Sequence, residues 1–254
     1  MPQKSDPPRH RIRPGRWLLV EGPRLAMLRG HDAWKQLPRQ APRTWLRWMA
    51  GGLALCLALV LALDLWVSRL QSSGRLAWEA DWLRWFEGAG PSFAHAVWMD
   101  SLGNSVVLIP LILGTALLAG WLHRPLRALT VLACYFGVDL IVGLGWMMWN
   151  RQRPDLIAGG IAAPALHSFP SGHMAQVVAA FGLWAWLWMR ATPSRSERVL
   201  ASLTVPMAWA IVAAARLRLG AHWPTDILAG TAVGAAWLAV CIASLRRAES
   251  RGGR

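Results

Sequence analysis

Two histidines, His173 and His222, stand among arginines and one carboxylate in an arrangement suited to phosphoryl transfer. Pro170-Ser171-Gly172-His173 leads directly into an apolar run. Its backbone N–H groups would therefore lie at a helix N-terminus, where unpaired donors and the positive end of the dipole attract an anion. Gly172 allows an oxyanion to approach the backbone closely, and His173 is placed to give a proton to a leaving oxygen. Arg216, His222 and Asp226 form a second group. Pro224 suits a first helical turn, which puts His222 just before the helix and Asp226 one turn into it. From there the carboxylate can accept the imidazole Nδ1–H and leave Nε2 as nucleophile or base. Arg151 and Arg153-Pro154 add guanidinium forks that match phosphate oxygens.

Each cluster alone has a plainer reading. Ser-Gly often does no more than cap a helix, Asp226 could cap a helix start by ion pairing, and Arg151, Arg153 and Arg218 suit an interface between lipid and water. The elements around them decide which reading holds.

The chain has 254 residues, of which 55% are hydrophobic and 16% charged, too apolar for a soluble domain. Six apolar segments, about 46–67, 104–122, 127–149, 173–190, 199–216 and 224–245, approach the ~20 residues that span a bilayer core. The expected fold is therefore all-α: a polytopic membrane bundle of six transmembrane helices over residues 45–246. A basic, mostly disordered cytoplasmic arm (1–44) precedes it, with a short interfacial helix around Trp17–Leu28, and a cytoplasmic tail (247–254) follows. No secretory signal peptide is expected, and the first apolar run should remain in the mature protein.

With the N-terminus inside, 20 of the 27 Lys and Arg fall on the cytoplasmic side. That bias predicts both termini in the cytoplasm of a bacterial inner-membrane protein and a periplasmic site. The net charge of +14 belongs to this topology and to anionic headgroups, with no stripe suited to nucleic acid. The region 70–100 falls outside; Trp78, Trp82, Trp85 and Phe86 among Glu79, Asp81, Arg84 and Glu87 suggest a short periplasmic interfacial helix. Cys56, Cys134 and Cys241 lie inside apolar runs without CxxC spacing, so neither a disulfide framework nor a zinc site is expected. Asp64 and Asp139, inside spans, hint at a proton path or at pairing within the bundle.

Taken together and in this order, the clusters closely resemble the type 2 phosphatidic acid phosphatase superfamily, whose site is shared with vanadium haloperoxidases and glucose-6-phosphatase. Its pattern is Lys, six residues, Arg-Pro; then Pro-Ser-Gly-His; then Ser-Arg, five residues, His, three residues, Asp. Arg153-Pro154, Pro170 to His173, and Arg216, His222 and Asp226 match it. The family's Lys falls on Trp146, and the Ser before the third-motif Arg is Ala215. The resemblance covers about residues 95–245.

The resemblance implies that His222 is the nucleophile of a phosphohistidine intermediate, that Asp226 holds it, and that His173 is the acid and then the base. Arg153, Arg216, Ser171 and Gly172 would bind phosphate, with Arg151 taking over part of the missing Lys charge. It implies metal-independent hydrolysis without a cofactor, acting on a lipid phosphate in the bilayer. Undecaprenyl diphosphate, phosphatidylglycerol phosphate, phosphatidic acid and lipid A phosphates are all compatible substrates. A lipid phosphotransferase using the same site, or a catalytically impaired lipid-binding or transport protein, are the alternatives.

Overall fold

The structure, a computed structural model, describes residues 18–157, 160 and 167–252. Among these residues the regular structure is helical: α1 (Leu18–Lys35), α2 (Gln40–Ser72), α3 (Trp78–Ala89), α4 (Phe93–Asp100), a 3-10 turn (Ser101–Gly103), α5 (Ser105–Trp121), α6 (Pro125–Met148), α7 (Gly172–Ala191), α8 (Arg195–Arg218) and α9 (Pro224–Gly252). Their starts carry chemical signals. The Asn104 side chain accepts from the Val106 N–H, the Ser194 hydroxyl accepts from the Glu197 N–H, and Pro125 and Pro224 open α6 and α9.

Among the described residues five stretches are long and apolar enough to cross a membrane: Gln40–Ser72, Phe93–Trp121, Pro125–Met148, Arg195–Arg218 and Pro224–Arg251. The second joins α4 and α5 through the 3-10 turn. Their outer faces expose Leu55, Leu65, Val106, Leu113, Phe136, Val199 and Met207, a surface that suits lipid and not water. The sixth segment expected from the sequence, 173–190, is α7, whose 20 residues fall short of this apolarity. His173, Gln176 and three tryptophans dilute it. The helix compensates by packing on α6, α8 and α9, with Met174, Ala175, Val177 and Ala179 fully buried.

The close fit of α7 to α9 rests on two glycines one turn apart. A Cβ at Gly230 would stand 2.3 Å from the Ser171 carbonyl oxygen, and one at Gly234 would stand 2.5 Å from that of Ala175. Backbone therefore touches backbone where α7 begins, as small-residue interfaces between membrane helices permit. The turn between α8 and α9 needs glycine for a different reason: Gly220 sits at φ 62°.

The leader differs from expectation. Residues 1–17, including Trp17, lie outside the described residues; the helix expected around Trp17–Leu28 is present from Leu18 but runs on to Lys35, where disorder was expected. Packing explains this: Leu25 and Ala26 are buried, and Gly120 of α5 meets the Ala26 carbonyl closely. The tail likewise continues α9 as far as Gly252. The helix expected on the bilayer surface at 70–100 is present as α3, with Trp82 and Trp85 exposed. It is not merely laid on a surface, because Leu83 joins a core with Val212 and Leu217 of α8 and Glu79 is buried.

Gly230→Ala should lower thermal stability by overpacking, by about 1–3 kcal/mol. Gly143→Ala, where nothing lies within 4 Å, should hold or raise it. Thermal unfolding of both variants in one detergent checks this, and equal shifts would contradict the close-contact argument.

Candidate active site

Two connections at one end of the bundle build the site: the described residues 149–157 and 167–171 between α6 and α7, and the turn 219–223 before α9. They are tied directly. The Ser171 N–H donates to the Asp226 carbonyl at 3.0 Å, and Ser168 N–H donates to the Arg151 carbonyl at 3.1 Å. Residues almost fifty positions apart are thereby brought to one place.

His222 is buried, and its Nδ1 lies 2.8 Å from the Ser168 carbonyl oxygen. A carbonyl can only accept, so Nδ1 must carry the proton and Nε2 is left with its lone pair. Burial, then the charges of Arg216 and Arg153 and the neighbouring His173, hold this imidazole well below its ordinary proton affinity, against a smaller opposing effect of the Ser168 bond. The ring is thereby held in its neutral form.

Asp226 does not hold His222 in the way the spacing suggests. Its Oδ2 is 3.6 Å from Nδ1, beyond hydrogen-bond reach. The carboxylate instead accepts from Arg151 Nη1 at 2.5 Å, from the Trp223 N–H at 2.8 Å and from the Ser168 hydroxyl. Asp226 thus touches His222 only at one remove, by holding the Trp223 N–H that follows it and the hydroxyl of Ser168, whose carbonyl faces Nδ1, and it adds its negative charge nearby.

Arg151 also sits elsewhere than expected. Its guanidinium donates to Asp226, to Glu79 at 2.6 Å, to Gln71 at 2.9 Å and to Thr225 at 2.7 Å. With its side chain 2% exposed and its donors engaged behind the site, it is a structural cation, and a phosphate-binding role does not fit this placement. Glu79 completes the network by accepting from the Thr225 N–H and hydroxyl. One carboxylate from α3 is thus built into the support of the site.

On the other side, Asp100 of α4 accepts from Arg216 Nη1 at 3.1 and 3.2 Å and lies 3.7 Å from His173 Nε2. Gly103 leaves room for the His173 ring, since a Cβ there would stand 3.1 Å from its Cδ2. Arg153 donates to the Ala221 carbonyl at 2.8 Å and the His167 carbonyl at 3.2 Å. Burial and the charge of Arg216 lower its proton affinity, with Asp226 acting the other way, so two guanidinium groups share one electrostatic neighbourhood. The buried polar atoms without a hydrogen-bond partner among the described residues include Ser171 Oγ, His173 Nε2 and Arg216 Nε. Ser171 is the N-cap of α7 but makes no side-chain cap bond, and Gly172 opens the helix. Trp146, at the position of the family's Lys, donates its indole N–H to the Pro170 carbonyl at 3.0 Å. Among the described residues no group of three or more His, Cys, Asp or Glu could hold a metal ion.

The profile of the PAP2 superfamily matches residues 127–250, which hold His173, His222, Asp226, Arg153 and Arg216. Over this stretch the chain belongs to the PAP2 superfamily. Phosphatidylglycerophosphatase B of Bacillus subtilis is 28% identical over 141 residues, 52% of this chain and 65% of that protein. Decaprenylphosphoryl-5-phosphoribose phosphatase of Mycobacterium tuberculosis is 40% identical over 88 residues, 34% of this chain and 43% of that protein. The chain therefore spans less than two thirds of the length of these curated relatives. The crystal structure of a transmembrane PAP2-type phosphatidylglycerolphosphate phosphatase from Bacillus subtilis shares the fold, with a TM-score of 0.65 and 18% identity. That match covers 76% of this chain and 96% of the other.

Ser168, Glu79 and Asp100 were not found from the sequence. Ser168 had one available signal, its position just before the Pro170-Ser171-Gly172-His173 turn. Glu79 read as part of an exposed polar face, and Asp100 as an ordinary residue near a helix end. Of the two intramembrane acids, Asp139 is held by Gln176 of α7, while the buried Asp64 carboxyl has no partner among the described residues.

Glu79→Ala should unbalance the buried Arg151 and cost about 3–5 kcal/mol, the usual penalty for removing one partner of a buried ion pair. Asp81→Ala, which breaks only the exposed pair with Arg84 on the same helix, should leave stability nearly unchanged. Chemical unfolding of the two variants tests this. Equal stabilities would mean that α3 is not anchored through Glu79.

Proposed function

We propose that this chain is a membrane lipid phosphate phosphatase that works through a phosphohistidine on His222. The observation carrying this reading is the Nδ1 bond of His222 to the Ser168 carbonyl, which leaves Nε2 as the only nucleophilic atom of a neutral ring. In the first step Nε2 forms a bond to phosphorus as the ester oxygen leaves, and His173 gives that oxygen its proton. In the second, His173 takes a proton from water, the water oxygen attacks phosphorus, and the N–P bond breaks to release phosphate. Arg153, Arg216 and the α7 N-terminus at Ser171 and Gly172 stabilise the equatorial oxygens, where charge accumulates. A phosphate there would satisfy the Arg216 Nε and Ser171 Oγ atoms that no described residue serves. His173 Nε2 would face the leaving oxygen. Asp100 then fixes Arg216 and stands 3.7 Å from His173 Nε2, where it would accompany the proton that His173 gives up.

The substrate is a lipid bearing a phosphomonoester or diphosphate. The two curated relatives are named for phosphate esters carried on lipids, which supports that class. For the membrane arrangement, α7 serves as the sixth span, shielded by α6, α8 and α9. The chain ends lie in the cytoplasm, and the site opens to the opposite, periplasmic face, where lipid carriers would enter sideways from the bilayer. The exposed tryptophans of α3 flank that entrance.

Purified protein should release phosphate from at least one of phosphatidylglycerol phosphate, phosphatidic acid and undecaprenyl diphosphate, equally with and without EDTA. His222→Ala should reduce release to background and His173→Ala by about 10²–10⁴-fold. Undiminished release from His222→Ala would overturn the mechanism, and phosphate appearing on an added alcohol without free phosphate would identify a transferase.

The pH dependence follows from the depressed proton affinity of His222. Protonation destroys the nucleophile, and because the neutral form is favoured, the acid limb of phosphoenzyme formation should lie below the ordinary imidazole range. Arg153→Gln removes one of the charges responsible, so that limb should move to higher pH. A limb unmoved in single-turnover measurements would refute the assignment.

A further inference from the structure

The helices that hold the site carry a second polar construction at their far ends. α6 runs 24 residues, or about 36 Å, from Pro125 to the loop bearing Arg153. At its start a cavity of about 360 Å³ is lined by Arg124, Arg127, Arg190, His123 and Glu249 over an apolar floor that includes Leu126. Its charge is unbalanced. Glu249 pairs with Arg127 at 2.8 Å and with Arg190 at 3.5 Å, while Arg124 is exposed and forms no ion pair among the described residues. Three guanidinium groups therefore face one carboxylate.

Beside this cavity runs a groove of about 530 Å³ between α1, α5 and α6, which includes Met27, Trp34, Leu113, Leu117 and Leu129. Pro125 lines both spaces, so an arginine-rich chamber opens next to an almost wholly apolar channel. We propose that the two form one binding site for an anionic glycerophospholipid of the leaflet opposite the catalytic face. Its phosphodiester would contact Arg124, Arg127 and Arg190, and one acyl chain would follow the groove under α1. Arginine forks match phosphate oxygens, and basic pockets between membrane helices attract anionic headgroups. The groove supplies what a free phosphate would not use. Such a lipid would bind α1 to the ends of α6, α7 and α9 without entering the reaction.

The test uses delipidated full-length protein in neutral detergent, with dioleoylphosphatidylglycerol, dioleoylphosphatidylcholine or inorganic phosphate added. Native mass spectrometry counts bound lipid, and thermal unfolding reports stabilisation. Phosphatidylglycerol should be retained over phosphatidylcholine and should raise the unfolding temperature. The Arg124→Gln/Arg190→Gln variant should lose roughly tenfold or more of that retention, while Arg153→Gln, at the other face, keeps it. Lipid-free unfolding of the double variant, unchanged from the parent, shows that the fold is intact, and Ala128→Trp, at a residue that lines the groove and not the arginine cavity, should also reduce retention. The proposal is overturned if both lipids are retained equally, if the double variant holds phosphatidylglycerol as well as the parent, or if inorganic phosphate alone gives the same stabilisation.

Discussion

A carboxylate with no access to water must find donors inside the protein, and Asp226 finds them on several parts of the chain at once. Arg151 comes from just beyond α6, Ser168 from just before α7, and the Trp223 N–H from the turn before α9. An ionised group buried without them would be very costly, so the three segments are held together by the need to satisfy it. Arg151 brings its own excess charge and requires Glu79, which brings in α3. The position of His222 follows from this framework. Its Nδ1 partner is a backbone carbonyl in a loop that the Asp226 carboxylate has already fixed.

The apolar scaffold makes that framework affordable because it delivers helix ends and not just helices. Gly230 and Gly234 let α9 touch the backbone of α7 at its first turn, so the N-termini of both helices emerge side by side. Unpaired first-turn amides and an anion-attracting dipole then stand next to two arginines in a weakly hydrated place. Like charges gathered in this way repel, and Asp100 supplies the nearest relief by pairing with Arg216. A bound phosphate would supply more, which is why the same cluster that is electrostatically uneasy alone is suited to a dianionic ligand.

How much of this could be read from the sequence depends on the range of the signal. Spans are local: twenty apolar residues declare themselves, and α2, α5, α6, α8 and α9 lie where apolarity places them. α7 is weaker by composition because its neighbours, and not lipid, cover His173 and Gln176. The motif residues were legible because chemistry restricts their types and short spacings. Pairings across long separations were not. Nothing near Glu79 announces that it meets Arg151, 72 positions on, nor does anything near Asp100 point to Arg216, 116 positions away. An acid on an amphipathic helix looks solvated until the fold closes over it. The same reason misplaced Arg151: from sequence alone, an arginine two residues from Arg153 looks like a second phosphate ligand.

Trp146 shows how the family pattern can change without loss of the site's shape. A lysine there would bring charge to the phosphate; tryptophan brings an indole N–H that holds the Pro170 carbonyl at 3.0 Å and a ring that lies against Gly172. The His167 ring stacks on the same indole at 5.9 Å, and the His167 carbonyl in turn accepts from Arg153. One cation is therefore exchanged for rigidity in the turn that presents Ser171, Gly172 and His173. Oxyanion stabilisation depends on donors that need not reorganise during the reaction, so a turn fixed in this way retains part of what the missing charge would contribute. Under the proposed mechanism the remaining neutralisation would fall on Arg153 and Arg216, whose positions are set by backbone carbonyls and by Asp100 respectively.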